Sequence, residues 1–365
     1  MNREKTKYRL KEGLSTLLLA FPAAIYGLVT SVRNRLYDHN LLPAWQPPIK
    51  TVCIGNLAVG GTGKTPHVAY LVRLLSSRYR VAILSRGYKR RTHGFYLANE
   101  ASTAFELGDE AMQQHMAFPD LPIAVCENRR EGIERMIEQM PDLQIVLLDD
   151  AFQHRRVRAG LNMILTEQDA LYTSDHLMPW GRLRESRRSA DRADVIVISK
   201  CHGAVSDEES GRIAQSLQIK PWQTICFSMM RYGSLWPLCE QTPSMTLEQI
   251  GEQGYSVLAL TGIAHPAPMI QYLSERFQCV EHMAYADHHG FTETDLAAIV
   301  QKLQQMAPPA VIITTEKDAA RLQAMTGQYA DRMKKSVYVL PIQVDFMSDT
   351  NMFNTKIMNY VTEDK

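Results

Sequence analysis

The plainest chemistry in this sequence is carried by Gly60, Gly61, Thr62, Gly63, Lys64 and Thr65, a glycine-rich turn that closes on Lys-Thr. The backbone amides of such a turn, with a helix N-terminus behind it, point at phosphate oxygens. Lys64 then reaches the β- and γ-phosphates, and the Thr65 hydroxyl holds Mg²⁺. Pro66 fits the first helical turn, where a backbone amide has no intrahelical acceptor. The pattern departs from a full phosphate loop at one place, because Ala58 stands six residues before Lys64 where glycine is usual. The bland alternative is a glycine-rich turn that binds nothing.

A nucleotide site needs an acidic partner at the end of a neighbouring strand, and Asp149-Asp150 follow the apolar residues Ile145 to Leu148. Adjacent carboxylates in an extended strand face opposite ways, so one of the two is expected to meet magnesium. Ser85-Arg86-Gly87-Tyr88, Glu127-Asn128-Arg129-Arg130 and Thr166-Glu167 follow other apolar runs. Ligands of open α/β sheets bind at such carboxyl ends. Arginines recur there: Arg86, Arg90 and Arg91; Arg129 and Arg130; Arg155, Arg156 and Arg158; Arg182, Arg184, Arg187 and Arg188. Each group alone reads as a solvated face, whereas convergence on one rim would make a site for a phosphorylated, polyanionic substrate.

The elements that must position these groups follow from hydrophobic spacing. Apolar runs at Thr51–Gly55, Arg80–Ser85, Ile123–Cys126, Gln144–Asp149, Asn162–Thr166 and Asp194–Ser199 are continuous rather than alternating, as in a parallel sheet covered on both faces. Val68, Leu71, Val72 and Leu75 fall on one face of a helix between the first two. The fold class is therefore α/β, a doubly wound and mostly parallel sheet. From Thr224 to Cys239 the texture reads as a short ribbon or linker. A second α/β unit follows, with runs at Ser256–Leu260, Ala310–Thr314 and Ser336–Leu340 and helical stretches near Met269–Phe277 and Asp295–Met306. The expected division is an N-terminal helix over 1–38, a phosphate-loop domain over 39–222, a linker over 223–245 and a C-terminal α/β domain over 246–365. Past Asp349 the chain is polar and expected to fray.

The 365 residues are enough for two buried cores, and a formal net charge of +1 gives no bias toward nucleic acid. Six scattered cysteines without a C-x-x-C pair argue against a disulfide framework or a cysteine zinc site and suit a reducing cytoplasm. Leu14 to Val32 lacks any charged residue, with Arg3, Lys5, Lys7, Arg9 and Lys11 before it and Arg33 and Arg35 after it. The length is borderline for a span, and Pro22, Ser15, Thr16, Thr30 and Ser31 weaken it. A helix lying on the cytoplasmic leaflet, its basic flanks on anionic lipid, is expected; a buried core helix is the alternative.

In order along the chain stand Val59-Gly-Gly-Thr-Gly-Lys-Thr-Pro66, Ser85-Arg-Gly-Tyr88, Gly108-Asp-Glu110, Asp149-Asp-Ala-Phe-Gln-His154, Leu183-Arg-Glu185, Gly262-Ile-Ala-His-Pro266, Asp287-His288 and Thr314-Thr-Glu-Lys-Asp318. This set resembles the tetraacyldisaccharide 4'-kinase family of lipid A synthesis, from the N-terminal apolar segment to about residue 318. The family's glycine in D-D-G-F-Q-H is Ala151 here. The resemblance implies ATP as donor, Mg²⁺, two domains joined by a β-ribbon linker, and residence on the cytoplasmic face of the inner membrane. It implies as substrate an acylated glucosamine disaccharide 1-phosphate, phosphorylated at its 4'-hydroxyl.

A sugar hydroxyl is a poor nucleophile at neutral pH, so a positioned group should accept its proton as the P–O bond forms. Asp109 matches the family residue for that base, although an aspartate opening a helix is also a common N-cap. His288 matches the partner histidine, suited to orienting the aspartate. Arg184 and Glu185 match an active-site pair: the arginine stabilises transferring charge and the glutamate helps hold Mg²⁺. Their alternative is a surface ion pair. The role of Thr314–Asp318 stays open. Since the two sets of residues fall in different domains, closure over ATP is expected to exclude water. The rival reading is a membrane-associated P-loop ATPase switch without a lipid substrate; Val59 occupies the place where such switches carry a signature lysine.

Overall fold

A parallel strand can be buried on both faces only if its side chains are apolar throughout, and the runs of the first half meet that demand. The computed structural model describes residues 2–347 and 350–363, except the side chains of 2–18. Its strands are β1 (Lys50–Asn56), β2 (Val81–Ser85), β3 (Tyr96–Leu97), β4 (Ile123–Val125), β5 (Ile145–Asp149), β6 (Leu161–Glu167), β7 (Val195–Ser199), β8 (Thr224–Tyr232), β9 (Trp236–Pro237), β10 (Ser256–Thr261), β11 (Val280–Ala284), β12 (Ala310–Thr315), β13 (Val337–Leu340) and β14 (Ile342–Phe346). The chain divides into two compact units, each discontinuous: Met1–Arg86, Cys126–Met230 and Val344–Lys365 form the first, Gly87–Val125 and Arg231–Gln343 the second.

The strands of the first unit lie in the order β14-β8-β7-β6-β1-β5-β2. β1 runs parallel to β5 and β6, β2 to β5, β6 to β7, and β7 to β8. All of these carboxyl ends therefore meet one edge, where the polar clusters of the sequence fall. The helix Lys64–Leu75 buries Val68, Leu71, Val72 and Leu75, the face given by their spacing.

In the second unit the order is β11-β10-β12-β13-β9, with β9 antiparallel to β13 and the other pairs parallel. Alternation builds two cores. Leu258, Leu260, Ile312, Val337 and Val339 pack on one face, and Val257, Ala259, Val311, Ile313, Tyr338 and Leu340 on the other.

Three expectations change. Residues 223–245 are not a free-standing ribbon: β8 continues the parallel sheet with Cys226, Phe227 and Ser228 buried, and β9 edges the second sheet. The boundary at 222 also gives way, because 87–125, expected in the phosphate-loop domain, folds with the second unit. Spacing shows that the helix Asp109–Ala117 buries a face, but not which core receives it; Met116 packs on the second unit's core. Finally, the stretch after Asp349 is ordered as the helix Thr350–Thr362, which buries Phe353, Ile357 and Val361. The Tyr360 hydroxyl donates to Thr51 O and accepts from Thr51 N, both at 3.0 Å, so this helix is fastened to β1.

The N-terminal helix runs Asn2–Asp38. The basic flank from Arg3 to Lys11 and the first part of the apolar segment, to Leu18, have side chains outside the described residues. Further on, Ala23, Gly27, Asn34 and Tyr37 are buried in the first unit. The opposite face exposes Phe21, Ile25, Leu28, Val29 and Val32, with Phe21 73% and Leu28 65% accessible. The helix is thus half-buried through small and polar residues, with its apolar stripe turned outward. Among the described residues no helix is long and apolar enough to cross a membrane.

Candidate active site

In the first unit, β1 delivers the chain at Asn56 into the loop that ends at the helix Lys64–Leu75. The loop is strapped on one side, since Val59 N donates to Arg182 O at 2.8 Å and Arg184 N to Leu57 O at 2.7 Å. Ala58 sits between these bonds in an antiparallel bridge to Leu183. Its φ is not among the positive values, whereas Gly60 (φ 123°) and Gly63 (φ 86°) are left-handed. Alanine in place of glycine therefore costs nothing there. A Cβ on Gly60 or Gly61 would meet nothing within 4 Å, so open space lies over the loop backbone, as a phosphate chain requires.

Thr62 is pinned from both sides: Asn56 Nδ2 donates to its Oγ1 and Ser199 Oγ to its carbonyl, each at 2.9 Å. His67 Nδ1 donates to Gly63 O at 2.7 Å, leaving Nε2 to accept from the Ser228 hydroxyl at 3.0 Å. Burial pushes its imidazole down to about 4, so it stays neutral and braces the turn.

Lys64 Nζ lies 3.6 Å from Asp150 Oδ1. Arg184 grips the same carboxylate with two bonds, at 2.8 and 3.1 Å, and also donates to Asn56 O at 3.2 Å. Burial works to raise the Asp150 carboxyl, but Lys64, Arg184 and Arg129 together hold it below the usual range. Asp150 lies just past the end of β5 with φ 47°, so strand alternation does not govern how the two aspartates point. Asp149 is buried at the end of β5, in register with Ile54 of β1.

Arg184 and Glu185 are not paired with each other. Glu185 is 1% exposed and accepts from Arg192 at 2.8 Å and Asn34 at 3.1 Å, while its Oε1 has no hydrogen-bond partner among the described residues. The hydroxyl of Thr65 and the carboxylates of Asp149, Asp150 and Glu185 are hard oxygen donors of the kind magnesium takes. No group of three or more His, Cys, Asp or Glu side chains gathers closely enough to cage a metal among the described residues.

The arginines of the expected rim have separate partners. Arg90 and Arg91 belong to the second unit. Arg129 is buried and donates to Cys126 O and Asp149 O. Arg155 pairs with Asp38 and Arg182 with Asp175. Arg184 is the arginine tied to the Lys64 partner.

In the second unit, Gly108 (φ 81°, ψ 160°) caps the helix Asp109–Ala117 and makes no side-chain cap bond. Asp109 is thus the first helical residue, and its carboxylate is spent on tertiary contacts rather than on capping. Its Oδ2 accepts from His288 Nδ1 at 2.8 Å and from Arg321 Nη2 and Nε at 2.7 and 3.1 Å. Burial raises the Asp109 carboxyl, and the bonds and charges of Arg321 and His288 more than offset it, holding it below its ordinary value. Lys317 Nζ stands 3.3 Å from His288 Nε2. An ionised carboxylate only accepts, so Nδ1 carries the proton that faces Asp109, while Lys317 Nζ and Asp287 Oδ2, the latter at 3.7 Å, flank Nε2.

The motifs ending β10 and β12 come together here as well, because the two strands are parallel neighbours. Asp318, fully buried, accepts from Gly262 N at 2.9 Å and Thr315 Oγ1 at 2.7 Å. Sequence reasoning missed Asn56, Asn34, Arg192 and Arg321. Only Arg321 had a signal, standing one helical turn past the Thr314–Asp318 motif whose role was open.

The family model described as LpxK, tetraacyldisaccharide-1-P 4'-kinase, matches residues 15–362. The tetraacyldisaccharide 4'-kinase of Bacteroides thetaiotaomicron is 40% identical over 348 residues, 93% of this chain and 91% of that one. The Flavobacterium johnsoniae enzyme of the same name is 41% identical over 347 residues, 94% and 97% of the two chains. Among solved structures, LpxK from Aquifex aeolicus in complex with ATP aligns with a TM-score of 0.73 at 24% identity, covering 93% of this chain and 97% of the other. That likeness speaks for the α/β fold, and the sequence matches speak for the family. The chain belongs to the tetraacyldisaccharide 4'-kinase family.

Proposed function

We propose that this chain transfers the terminal phosphoryl group of ATP to the 4'-hydroxyl of a tetraacylated glucosamine disaccharide 1-phosphate, giving a bis-phosphorylated lipid on the cytoplasmic face of the inner membrane. The observation that carries the reading is the Asp109–His288 pair at 2.8 Å, because an ATPase switch has no need of a base for an alcohol.

The first unit binds the donor. The amides of Gly60 to Gly63 and the start of the following helix cradle phosphate oxygens, and Lys64 reaches the transferring group. Lys64 and Arg184, now both on Asp150, supply the positive charge that phosphoryl transfer demands. Thr65, with Asp149 or Asp150, is the oxygen set for magnesium, and Glu185 supports it from the adjacent segment. Bound magnesium would neutralise charge on the phosphate oxygens. In the second unit, Asp109 accepts the proton of the 4'-hydroxyl. His288 holds the carboxylate through its Nδ1 proton, with Lys317 beside its Nε2.

The outward stripe Phe21, Ile25, Leu28, Val29 and Val32 supports membrane attachment. A helix packed on its protein through small and polar residues has that apolar face left for acyl chains. The test is incubation of the protein with labelled ATP and an acylated disaccharide 1-phosphate in mixed micelles, with separation of the lipids. A labelled bis-phosphorylated lipid is expected; ATP hydrolysis without a labelled lipid would favour the switch.

A further inference from the structure

Three donors crowd one oxygen of Asp109. Arg321 directs Nη2 and Nε at Oδ2, His288 directs Nδ1 at the same atom, and Oδ1 accepts nothing among the described residues. The guanidinium is itself immobilised, because Nη1 donates to Asp318 Oδ1 at 3.0 Å and to Gly262 O at 3.1 Å. Asp318 is held in turn by the Gly262 amide and the Thr315 hydroxyl. The fork therefore bridges the ends of β10 and β12 to the helix that carries Asp109.

We infer that Arg321 is the positioning residue for the base: it fixes Asp109 Oδ2 so that Oδ1 takes the substrate proton. This rests on the assignment of Asp109 as base. As the 4'-oxygen bonds to the γ-phosphorus, its proton passes to Asp109 Oδ1. The γ-phosphorus bond to the bridging oxygen breaks, and that electron pair leaves on the ADP β-phosphate. An oxygen that already accepts three hydrogen bonds is the weaker base of the two, which directs protonation to Oδ1. The open Thr314–Asp318 motif acquires a role here, since Asp318 and Thr315 hold the arginine that holds the base.

Geometry and charge can be separated by two substitutions. Arg321→Lys keeps the charge, but an ammonium cannot span Asp109, Asp318 and Gly262 as the fork does. It should lower kcat about 10–10²-fold, as expected for a misplaced catalytic group, with KM for ATP unchanged. Arg321→Gln also removes the charge. The groups around the Asp109 carboxylate are then His288, with Lys317 and Asp287 behind it, and Asp318 beyond the missing guanidinium. Burial remains and the largest compensating contact is gone, so the acid limb of the kcat/KM–pH profile should move to higher pH. Thermal melts check that both variants are folded. If Arg321→Gln does not fold, the kcat-against-KM split of Arg321→Lys decides. Wild-type kcat in Arg321→Lys, or an unmoved acid limb in folded Arg321→Gln, overturns the inference. Asp109→Asn separates the two levels. If it is inactive while the Arg321 variants behave as wild type, only the positioning role falls; if it keeps wild-type kcat, the base assignment falls with it.

Discussion

Gly108→Ala should damage the second unit and the placement of Asp109, the proposed base, together. Gly108 holds φ 81° and ψ 160°, a region open essentially to glycine alone. Forcing an L-residue into it costs about 1–3 kcal/mol. An added Cβ would also stand 2.5 Å from Tyr88 O and 3.2 Å from Gly87 C, both backbone atoms that cannot rotate away. Such overlap adds about 1–3 kcal/mol. For a unit of about 150 residues, where each kcal/mol shifts Tm by about 2–4 °C, the summed cost of about 2–6 kcal/mol is a loss of roughly 4–24 °C. The chain can relieve the clash only by moving the segment that starts the next helix, and Asp109 is its first residue. A displacement of about 1 Å from the His288 and Arg321 contacts is worth on the order of 10²-fold in kcat. Differential scanning fluorimetry reads the first effect, and steady-state transfer to the lipid acceptor reads the second. KM for ATP should be unchanged, because the phosphate loop belongs to the other unit. Wild-type Tm and kcat together would refute the claim that this backbone conformation sets the base.

Lys64→Ala should abolish phosphoryl transfer with no loss of fold by circular dichroism; full activity would sink the phosphate-loop assignment. His67 and His154, both pushed down to about 4 by burial, stay neutral in the fold while the unfolded chain takes up protons below about 6.5. Stability of the first unit should therefore fall from about pH 6.5 to about pH 4, by on the order of 3 kcal/mol for the fully buried His67 and by less for the half-buried His154, where solvent screens the penalty, and level off below. Urea melts across that range test it, and a His67→Gln variant with an undiminished slope would remove His67 from the account. Leu28→Glu, on the exposed stripe, should weaken sedimentation with anionic vesicles without lowering Tm, and undiminished binding would count against the stripe. Deletion of residues 1–36 is the poorer test, because it also removes the Asn34 bond to the buried Glu185.

Much of the proposed chemistry was legible in the residues themselves. A loop such as Gly60–Thr65 is local: glycine φ, a following lysine and a helix start lie within a few residues, so spacing alone describes it. The same holds for the strand runs and for the buried face of Lys64–Leu75, because apolar periodicity records burial directly. Pairings between distant residues leave no such record. Asp109 and Arg321 are 212 positions apart, and the place of Arg321 one helical turn past the Thr314–Asp318 motif does not say which residue it holds. Glu185 stands next to Arg184 in the chain, yet it turns to Arg192 and Asn34 while Arg184 turns to Asp150. The C-terminal helix did leave a record, since Phe353, Ile357 and Val361 fall at i, i+4 and i+8 on one face; its fastening to β1 through Tyr360 is what spacing does not encode. The sequence by itself determined the α/β class, the phosphate loop and the kinds of residue proposed to do the chemistry. The tertiary structure alone decided which core receives residues 87–125 and which oxygen of Asp109 is left open. Those choices depend on contacts between segments remote in the chain, which local propensity and spacing do not encode.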